Sequence, residues 1–231
     1  MGARKTGKME NFADARKRMV DSQLRTENVT DHAVLAAMGD VPREAFVPAH
    51  QRPLAYLDRD IRLKEATDAA PARYLMQAAP LARLMQLAEL APTDRVLIVG
   101  CGTGYSAAVL VRLVHSVVAL EADPALSAQA QRTLSELGIA TVDVVVGPLD
   151  GGYPSGGPYD VILVDGAVET MPSGLLDQLQ EGGRLVAVVG YGRTGTATLF
   201  AMSDHRIGSR PAFDASVPPL PGFRKPEVFV F

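Results

Sequence analysis

Short aliphatic runs alternate with helical spacings along the second half of the chain. Five runs are almost wholly aliphatic, which is typical of strands that helices cover on both faces. These runs are Val96–Val99, Val117–Leu120, Val142–Val146, Val161–Val164 and Arg184–Val189. Apolar spacing and cap residues predict helices before and between them. These helices span Pro80–Leu90, Ser106–Val114, Pro124–Leu137 and Met171–Gln180. The pattern predicts an α/β fold with a parallel sheet and a ligand crevice at the carboxyl ends of its strands.

The two ends of the chain differ from this alternation. Phe12–Leu24 has helical spacing, and the cap residues of Asn28–Asp31 predict a second helix, which ends before Pro42. Two segments look irregular or short-stranded, and these are Phe46–Pro48 and Leu54–Leu63. After Gly190, Thr196–Met202 alternates like a strand, and no helical pattern separates it from the preceding strand. We therefore expect an antiparallel hairpin at the edge of the sheet.

These patterns predict one domain rather than two. We expect residues 10–79 to form a helical cap with a substrate-side segment, and residues 80–231 to form the cofactor-binding core. Residues 1–9 are small and basic and are expected to be a disordered tail, while Glu227–Phe231 is predicted to be a last apolar strand. A length of 231 residues suits one large α/β domain with such an appendage.

Composition limits the classes of function. A net charge of -3 gives no general attraction to nucleic acid or to an anionic membrane, so neither is expected as a partner. No apolar run approaches the roughly 20 residues that a membrane span needs. The chain has one cysteine, which excludes an intrachain disulfide and favours the reducing cytoplasm. Its four histidines are scattered and no cysteine cluster exists, so no metal site is expected.

A glycine run carries the clearest functional signal. Gly100, Gly102 and Gly104 directly follow the strand Val96–Val99, where glycine lets the backbone turn sharply and approach a ligand. Glu121 ends the next predicted strand, and a carboxylate at that place can accept hydrogen bonds from ribose hydroxyls. Tyr105 stands where a dinucleotide fingerprint would have glycine, so the spacing favours S-adenosylmethionine over NAD. A tight turn without a ligand is the alternative.

Several further segments together resemble one known family. They are Arg18–Leu24 (RMVDSQL), Ala36–Met38, Val41–Pro48 (VPREAFVP), Ala55-Tyr56 with Asp58, Val96–Val109, Tyr159–Val164 and Leu179–Val186. Between Arg18 and about Gly190 the chain is similar to the protein-L-isoaspartate O-methyltransferases. The resemblance implies a Rossmann-like S-adenosylmethionine-dependent methyltransferase fold. It also implies methylation of isoaspartyl carboxylates in damaged proteins or peptides. The ester then closes to a succinimide, which returns the residue to aspartate.

The glycine run and the resemblance together give the expected site. The expected cofactor-binding residues are Gly100, Cys101, Gly102, Thr103, Gly104, Tyr105, Glu121, Ala122, Gly147 and Asp165. The candidates for a catalytic role are Tyr74, Gln77 and Asp165, and none is assigned a step. Asp165 is equally compatible with a solvated strand end. Arg73 and Tyr74 can offer a handle for a carboxylate, or can be a surface arginine beside a packed tyrosine.

The chain departs from the family pattern at three places. Met76 stands at the active-site serine, in a segment where only Gln77 is retained. A thioether cannot donate the hydrogen bond that a hydroxyl donates. Ile98 stands where strand one carries an acidic residue, and Pro148 stands at an aspartate, for which Asp150 is a possible substitute.

These departures leave three functions open. The first is a methyltransferase for isoaspartyl carboxylates, because an ionised carboxylate needs positioning and desolvation but no general base. The second is a non-catalytic binding protein that has lost the cofactor. The third is a methyltransferase with a different acceptor.

Overall fold

Two helices open the described chain, and a side chain caps the start of each. Asn11 accepts hydrogen bonds from the first amides of α1 (Phe12–Met19), and Asp31 does the same for α2 (His32–Asp40). Between the helices, the chain continues as a π-helical turn over Val20–Leu24 and a 3-10 turn over Arg25–Glu27. Both helices that the sequence predicted in this region are therefore present.

The structure, a computed structural model, describes residues 11–67, 70–192 and 195–223. The predicted tail at residues 1–9 and the predicted strand Glu227–Phe231 lie outside these residues. None of the helices within the described ranges is long and apolar enough to cross a membrane.

The rest of the N-terminal region is built from short elements. Two 3-10 helices cover Arg43–Phe46 and Ala49–Leu54, and they precede an antiparallel hairpin. The hairpin joins β1 (Ile61–Lys64) to β2 (Arg73–Leu75), and β2 is followed by α3 (Ala78–Leu87). The irregular or short-stranded character expected of this region is confirmed, whereas β2 itself carries no pattern that predicted it.

A seven-stranded sheet forms the centre of the fold, in the order β5-β4-β3-β6-β7-β8-β9. Its strands are β3 (Arg95–Val99), β4 (Ser116–Glu121), β5 (Val142–Val146), β6 (Tyr159–Val168), β7 (Leu179–Val189), β8 (Thr196–Ser203) and β9 (Arg206–Asp214). The strands from β3 to β7 pair in parallel, and β8 and β9 pair antiparallel at the edge. The predicted edge hairpin is confirmed. The pattern missed β9, whose side chains are almost all exposed.

Three helices connect the parallel strands. They are α4 (Tyr105–Leu110), α5 (Pro124–Glu136) and α6 (Ser173–Leu176). The helix predicted over Met171–Gln180 is wrong, because only its middle is helical and β7 begins at Leu179. The side-chain amide of Gln178 donates hydrogen bonds to the carbonyls of Gly151 and Gly174. The backbone carbonyl of Gln178 accepts a hydrogen bond from the Tyr159 amide. Sheet pairing and loop hydrogen bonds therefore replace the helix.

Apolar residues on the two faces of the sheet form two separate cores. Val96 and Ile98 of β3 face the larger core, which also contains Phe46 and other residues of the N-terminal region. Leu97 and Val99 point to the opposite face and belong to the smaller core. This alternation follows from the period of two along a strand. Because β3, β4 and β6 run parallel, their carboxyl ends meet at one edge of the sheet.

Candidate cofactor and active site

The glycine loop begins where β3 ends. Gly100, Gly102 and Gly104 have φ values of 87°, 57° and 94°, in the region that favours glycine. The amides of Gly100 and Cys101 both donate to the Leu120 carbonyl, at 2.9 and 3.1 Å, which fixes the loop to β4. A Cβ atom on Gly100 would lie 2.8 Å from Leu220 Cδ2, so the loop needs glycine here to accommodate the C-terminal segment.

Glu121 lies at the carboxyl end of β4, directly beside this loop. Its side chain is fully buried. Carboxylate oxygen Oε2 accepts the Gly102 amide at 2.8 Å, and Oε1 accepts the Asp123 amide at 3.0 Å. The sequence therefore placed the carboxylate and the glycine loop together correctly. The structure adds Arg73, whose guanidinium forms a two-pronged ion pair with Glu121.

Two of the expected cofactor-binding residues contact the N-terminal region. The Thr103 hydroxyl donates to the Phe46 carbonyl at 2.6 Å. The Tyr105 ring is fully buried, 5.6 Å from the Phe46 ring and 4.8 Å from the Arg43 guanidinium carbon. Burial raises the pKa of the Tyr105 phenol. These side chains join the glycine loop to the 3-10 helix at Arg43–Phe46. They therefore attach the N-terminal region to the central sheet.

Asp165 lies in an irregular stretch of β6. The pairing of β6 with β7 shifts between Leu163 and Ala167, and such an irregularity can redirect a side chain. Asp165 is 9% exposed, so it is not a solvated strand end. Burial raises the pKa of Asp165 to about 6, although the Ser106 hydroxyl and the Arg73 and Arg43 guanidinium groups oppose this shift.

Cys101, Ala122 and Gly147 surround the same edge of the sheet. Burial raises the pKa of the Cys101 thiol well above its ordinary value, and the nearby carboxylates of Glu121 and Asp165 add to the effect. Such a thiol stays protonated and is a poor nucleophile. Ala122 packs against the smaller core, and the Gly147 amide donates to the Glu121 carbonyl at 3.1 Å.

The segment from Tyr74 to Gln77 begins within β2 and ends at the start of α3. Tyr74 is half-buried and faces Arg62 of β1, with 5.9 Å between the guanidinium carbon and the ring centre. Gln77 donates from its backbone amide to Asp60 and from its side chain to Asp58, at 2.8 and 2.6 Å. Met76 is buried, 2% exposed, so its thioether occupies packed space.

The other departures from the family pattern fall in different environments. Ile98 is completely buried in the larger core. Pro148 and Asp150 are both exposed. A Cβ atom on Gly222 would lie 3.5 Å from the Asp150 carboxylate, so Asp150 faces the C-terminal segment.

Two arginines are the site residues that the sequence left unresolved. Arg73 is 5% exposed and is therefore not a surface arginine. Arg43 is 1% exposed and donates to the carbonyls of Ala55 and Met76, at 2.9 and 2.6 Å. Charged residues are almost never so buried without partners, and sequence gives no partner for either. Only the place of Arg43 inside the VPREAFVP segment pointed to it.

These residues fit an adenosine-containing cofactor. A carboxylate ends β4 and accepts the Gly102 amide of the adjoining loop, whose glycines at 100, 102 and 104 all have positive φ values. A second acidic side chain, Asp165, lies close enough to raise the pKa of Cys101. Within the described ranges, no group of three or more histidine, cysteine or acidic side chains could hold a metal ion.

The fold and the site define an α/β protein of the nucleoside-cofactor methyltransferase class. The sequence model of one family, protein-L-isoaspartate(D-aspartate) O-methyltransferase, matches residues 14–210. The chain belongs to this family.

Individual relatives agree with this assignment. A protein-L-isoaspartate O-methyltransferase of Koribacter versatilis (strain Ellin345) is 40% identical over 182 residues, which are 79% of each chain. A solved protein-L-isoaspartate O-methyltransferase superposes with a TM-score of 0.76 at 29% identity, covering 90% of this chain and 66% of that one. A Plasmodium falciparum structure in complex with S-adenosyl-L-homocysteine superposes with a TM-score of 0.73 at 19% identity, covering 89% and 97% of the two chains, and supports the fold alone.

These matches confirm the predicted family, the Rossmann-like methyltransferase fold and the methyltransferase class of enzyme. Members of the family use S-adenosylmethionine, as expected from the glycine loop. The matches support protein-L-isoaspartate O-methyltransferase function.

Proposed function

We propose that this chain transfers a methyl group from S-adenosylmethionine to the α-carboxylate of isoaspartyl residues in damaged proteins and peptides. The observation that supports it most is the buried Glu121 carboxylate, which accepts the Gly102 amide of the glycine loop at 2.8 Å. A carboxylate and a glycine loop so joined form the recognition element for a ribose.

The cofactor, when bound, supplies a methyl group on a positively charged sulfur that a nucleophile attacks in line. We assign the binding of the adenosine to Glu121 and to the loop from Gly100 to Gly104. Ala122 and Gly147 lie at the carboxyl ends of β4 and β5 and complete this side of the site. Because Thr103 and Tyr105 contact the cap, their role is to hold the loop in place.

Asp165 serves the cofactor rather than the acceptor. With a pKa of about 6, it is mostly ionised at neutral pH. A buried negative charge attracts a cationic group and repels an acceptor carboxylate. The reaction needs no general base, because the acceptor carboxylate is already ionised at neutral pH.

The acceptor binds on the side of the cap. Gln77 is the polar residue retained from the family motif, and its side chain is held by Asp58 at 2.6 Å. Tyr74 adds a phenol on the neighbouring strand. With Met76 in place of serine, we expect weaker orientation of the acceptor, which raises its KM more than it lowers kcat. In this arrangement residues 10–79 are the acceptor side of a single domain, and residues 80–231 are the cofactor side.

The proposed partners are isoaspartyl-containing proteins and peptides, without nucleic acid or membrane. We place the reaction in the cytoplasm, where the single buried Cys101 stays reduced.

The test uses two peptides that differ only in one residue, L-isoaspartate or L-aspartate. The purified protein is incubated with methyl-labelled S-adenosylmethionine, and base-labile methyl ester is counted. We expect ester on the isoaspartyl peptide and background on the aspartyl peptide. Equal labelling of both, or of neither, would contradict the proposed acceptor.

Three substitutions relative to the family pattern favour a second candidate, a non-catalytic binding protein that has lost the cofactor. Met76 is buried, Ile98 is completely buried in the larger core, and Pro148 is exposed. This candidate predicts neither calorimetric binding of S-adenosylhomocysteine nor ester on either peptide. Binding of S-adenosylhomocysteine without ester on either peptide would instead indicate a methyltransferase with a different acceptor.

A further inference from the structure

We propose that Arg73 occupies the acceptor sites of Glu121 that a ribose needs, and that it thereby sets the affinity of the chain for its cofactor. Binding then requires an exchange, in which the ribose hydroxyls replace the guanidinium. The inference rests on the proposed function, because it assumes that Glu121 is the ribose acceptor. It adds a residue, Arg73, that controls access to that acceptor.

The hydrogen bonds of Glu121 leave no acceptor site unused. An ionised carboxylate has about four lone-pair sites, two on each oxygen. Oxygen Oε2 accepts the Gly102 amide at 2.8 Å and Arg73 Nη2 at 2.9 Å. Oxygen Oε1 accepts the Asp123 amide at 3.0 Å and also Arg73 Nη1. The two backbone amides belong to the fixed loop, so the guanidinium is the only exchangeable group among these donors.

Burial prevents a ribose from sharing Glu121 with the guanidinium. The Glu121 side chain has no exposed surface, and Arg73 is 5% exposed. Arg73 Nη2 also lies 3.3 Å from the Gly100 carbonyl, so the guanidinium spans the loop and the carboxylate together. A hydroxyl therefore reaches the carboxylate only when the guanidinium has left it.

The hairpin that carries Arg73 lies over the same loop. Leu63 of β1 approaches so closely that a Cβ atom on Gly102 would lie 3.0 Å from its Cδ1. Lys64, also on β1, forms an ion pair with Asp123, the residue that caps α5. Arg73 is thus one of three hairpin contacts with the adenosine side of the site. Its departure from Glu121 is expected to require movement of the β1–β2 hairpin as well.

The first experiment is calorimetric titration with S-adenosylhomocysteine of the full chain and of Arg73→Gln. Glutamine cannot make the two-pronged contact, so the carboxylate becomes accessible. We expect the Kd of Arg73→Gln to be about tenfold lower than that of the unsubstituted chain, or lower still. The control is Arg62→Gln, which removes the same charge from the same hairpin, where Arg62 is paired with exposed Glu65 instead. Its Kd is expected to be unchanged.

A second variant covers the case in which Arg73→Gln does not fold. Arg73→Lys keeps a positive charge beside the buried Glu121 but replaces the planar fork by a single ammonium. We expect a Kd between those of the other two proteins. A Kd for both variants equal to or higher than that of the unsubstituted chain, with Arg62→Gln unchanged, overturns the inference.

A crystal structure of the unsubstituted chain with S-adenosylhomocysteine gives an independent answer. We expect ribose hydroxyls on Glu121 and the Arg73 guanidinium displaced from it. A ribose bound while the ion pair stays intact overturns the inference, even if the isoaspartyl peptide is methylated. Absence of binding to every variant at about 1 mM, a concentration that detects even weak affinity, overturns both the inference and the proposed function. Failure of this inference alone is therefore distinguishable from failure of the proposed function.

Discussion

Replacing Asp165 by asparagine is expected to stabilise the protein at neutral pH and to leave it almost unchanged at acidic pH. Asp165 is buried, and burial raises its pKa from 3.8 to about 6. The folded protein therefore binds a proton at the Asp165 carboxylate more tightly than the unfolded chain does. The resulting stability is fully present below the unfolded pKa and is lost as the pH rises through about 6. Asparagine removes the charge and with it the pH dependence.

The size of the effect follows from the shift. A difference of about two pKa units, at about 1.4 kcal/mol for each, corresponds to about 3 kcal/mol between the protonated and the ionised limit. This value already includes the attraction between the ionised carboxylate and the arginines, which is part of the same shift. A change in packing at the substituted side chain alters the free energy of unfolding by a similar amount at each pH. The pH-dependent part of the difference is therefore the quantity to measure.

Urea unfolding of both proteins at several pH values between about 4 and 8 measures this quantity. We expect the free energy of unfolding of Asp165→Asn, minus that of the unsubstituted chain, to increase through this range and to level off above about pH 7. Asp143→Asn is the matched control, because Asp143 is exposed on β5, and its difference should stay flat. A flat difference for Asp165→Asn as well would refute the reasoning.

Two further predictions concern stability. Arg184→Gln removes the cation that lies 2.6 Å from the buried Asp94 carboxylate. We expect a loss of about 3–5 kcal/mol by urea unfolding, and a loss below about 1 kcal/mol would contradict a role for this pair. Gly100→Ala should be destabilising, since its Cβ atom would lie 2.8 Å from Leu220 Cδ2. Leu220→Ala should relieve part of that loss in a double-mutant cycle, whereas strictly additive losses would exclude the clash.

The pattern of apolar and polar residues was sufficient to predict the strands that are mainly aliphatic or in which apolar and polar residues alternate. The strand Val142–Val146 has the bounds that the sequence predicted, because four of its five residues are valine. Periodicity failed where tertiary contacts decide the structure. Met171–Gln180 has helical spacing, yet Gln178 is committed to the loops at Gly151 and Gly174. Strand β9 shows no apolar alternation, because it forms an exposed edge.

The candidate site divides in the same way. Gly100, Gly102, Gly104 and Glu121 could be found because their spacing depends on one strand, one turn and the next strand. The partner of Glu121 could not be found, because Arg73 lies 48 positions away and only the hairpin brings it near. The burial of Asp165 likewise depends on the central position of β6 between β3 and β7, which its own sequence neighbours do not mark.

The most direct test of the account is to follow the repair of a damaged peptide. An isoaspartyl peptide is incubated at neutral pH with the protein and S-adenosylmethionine, and the isoaspartyl and aspartyl forms are separated and quantified over time. We expect the isoaspartyl form to decrease and the aspartyl form to increase only when protein and cofactor are both present. An isoaspartyl content that stays constant in the complete reaction, while the protein is folded, would contradict the account.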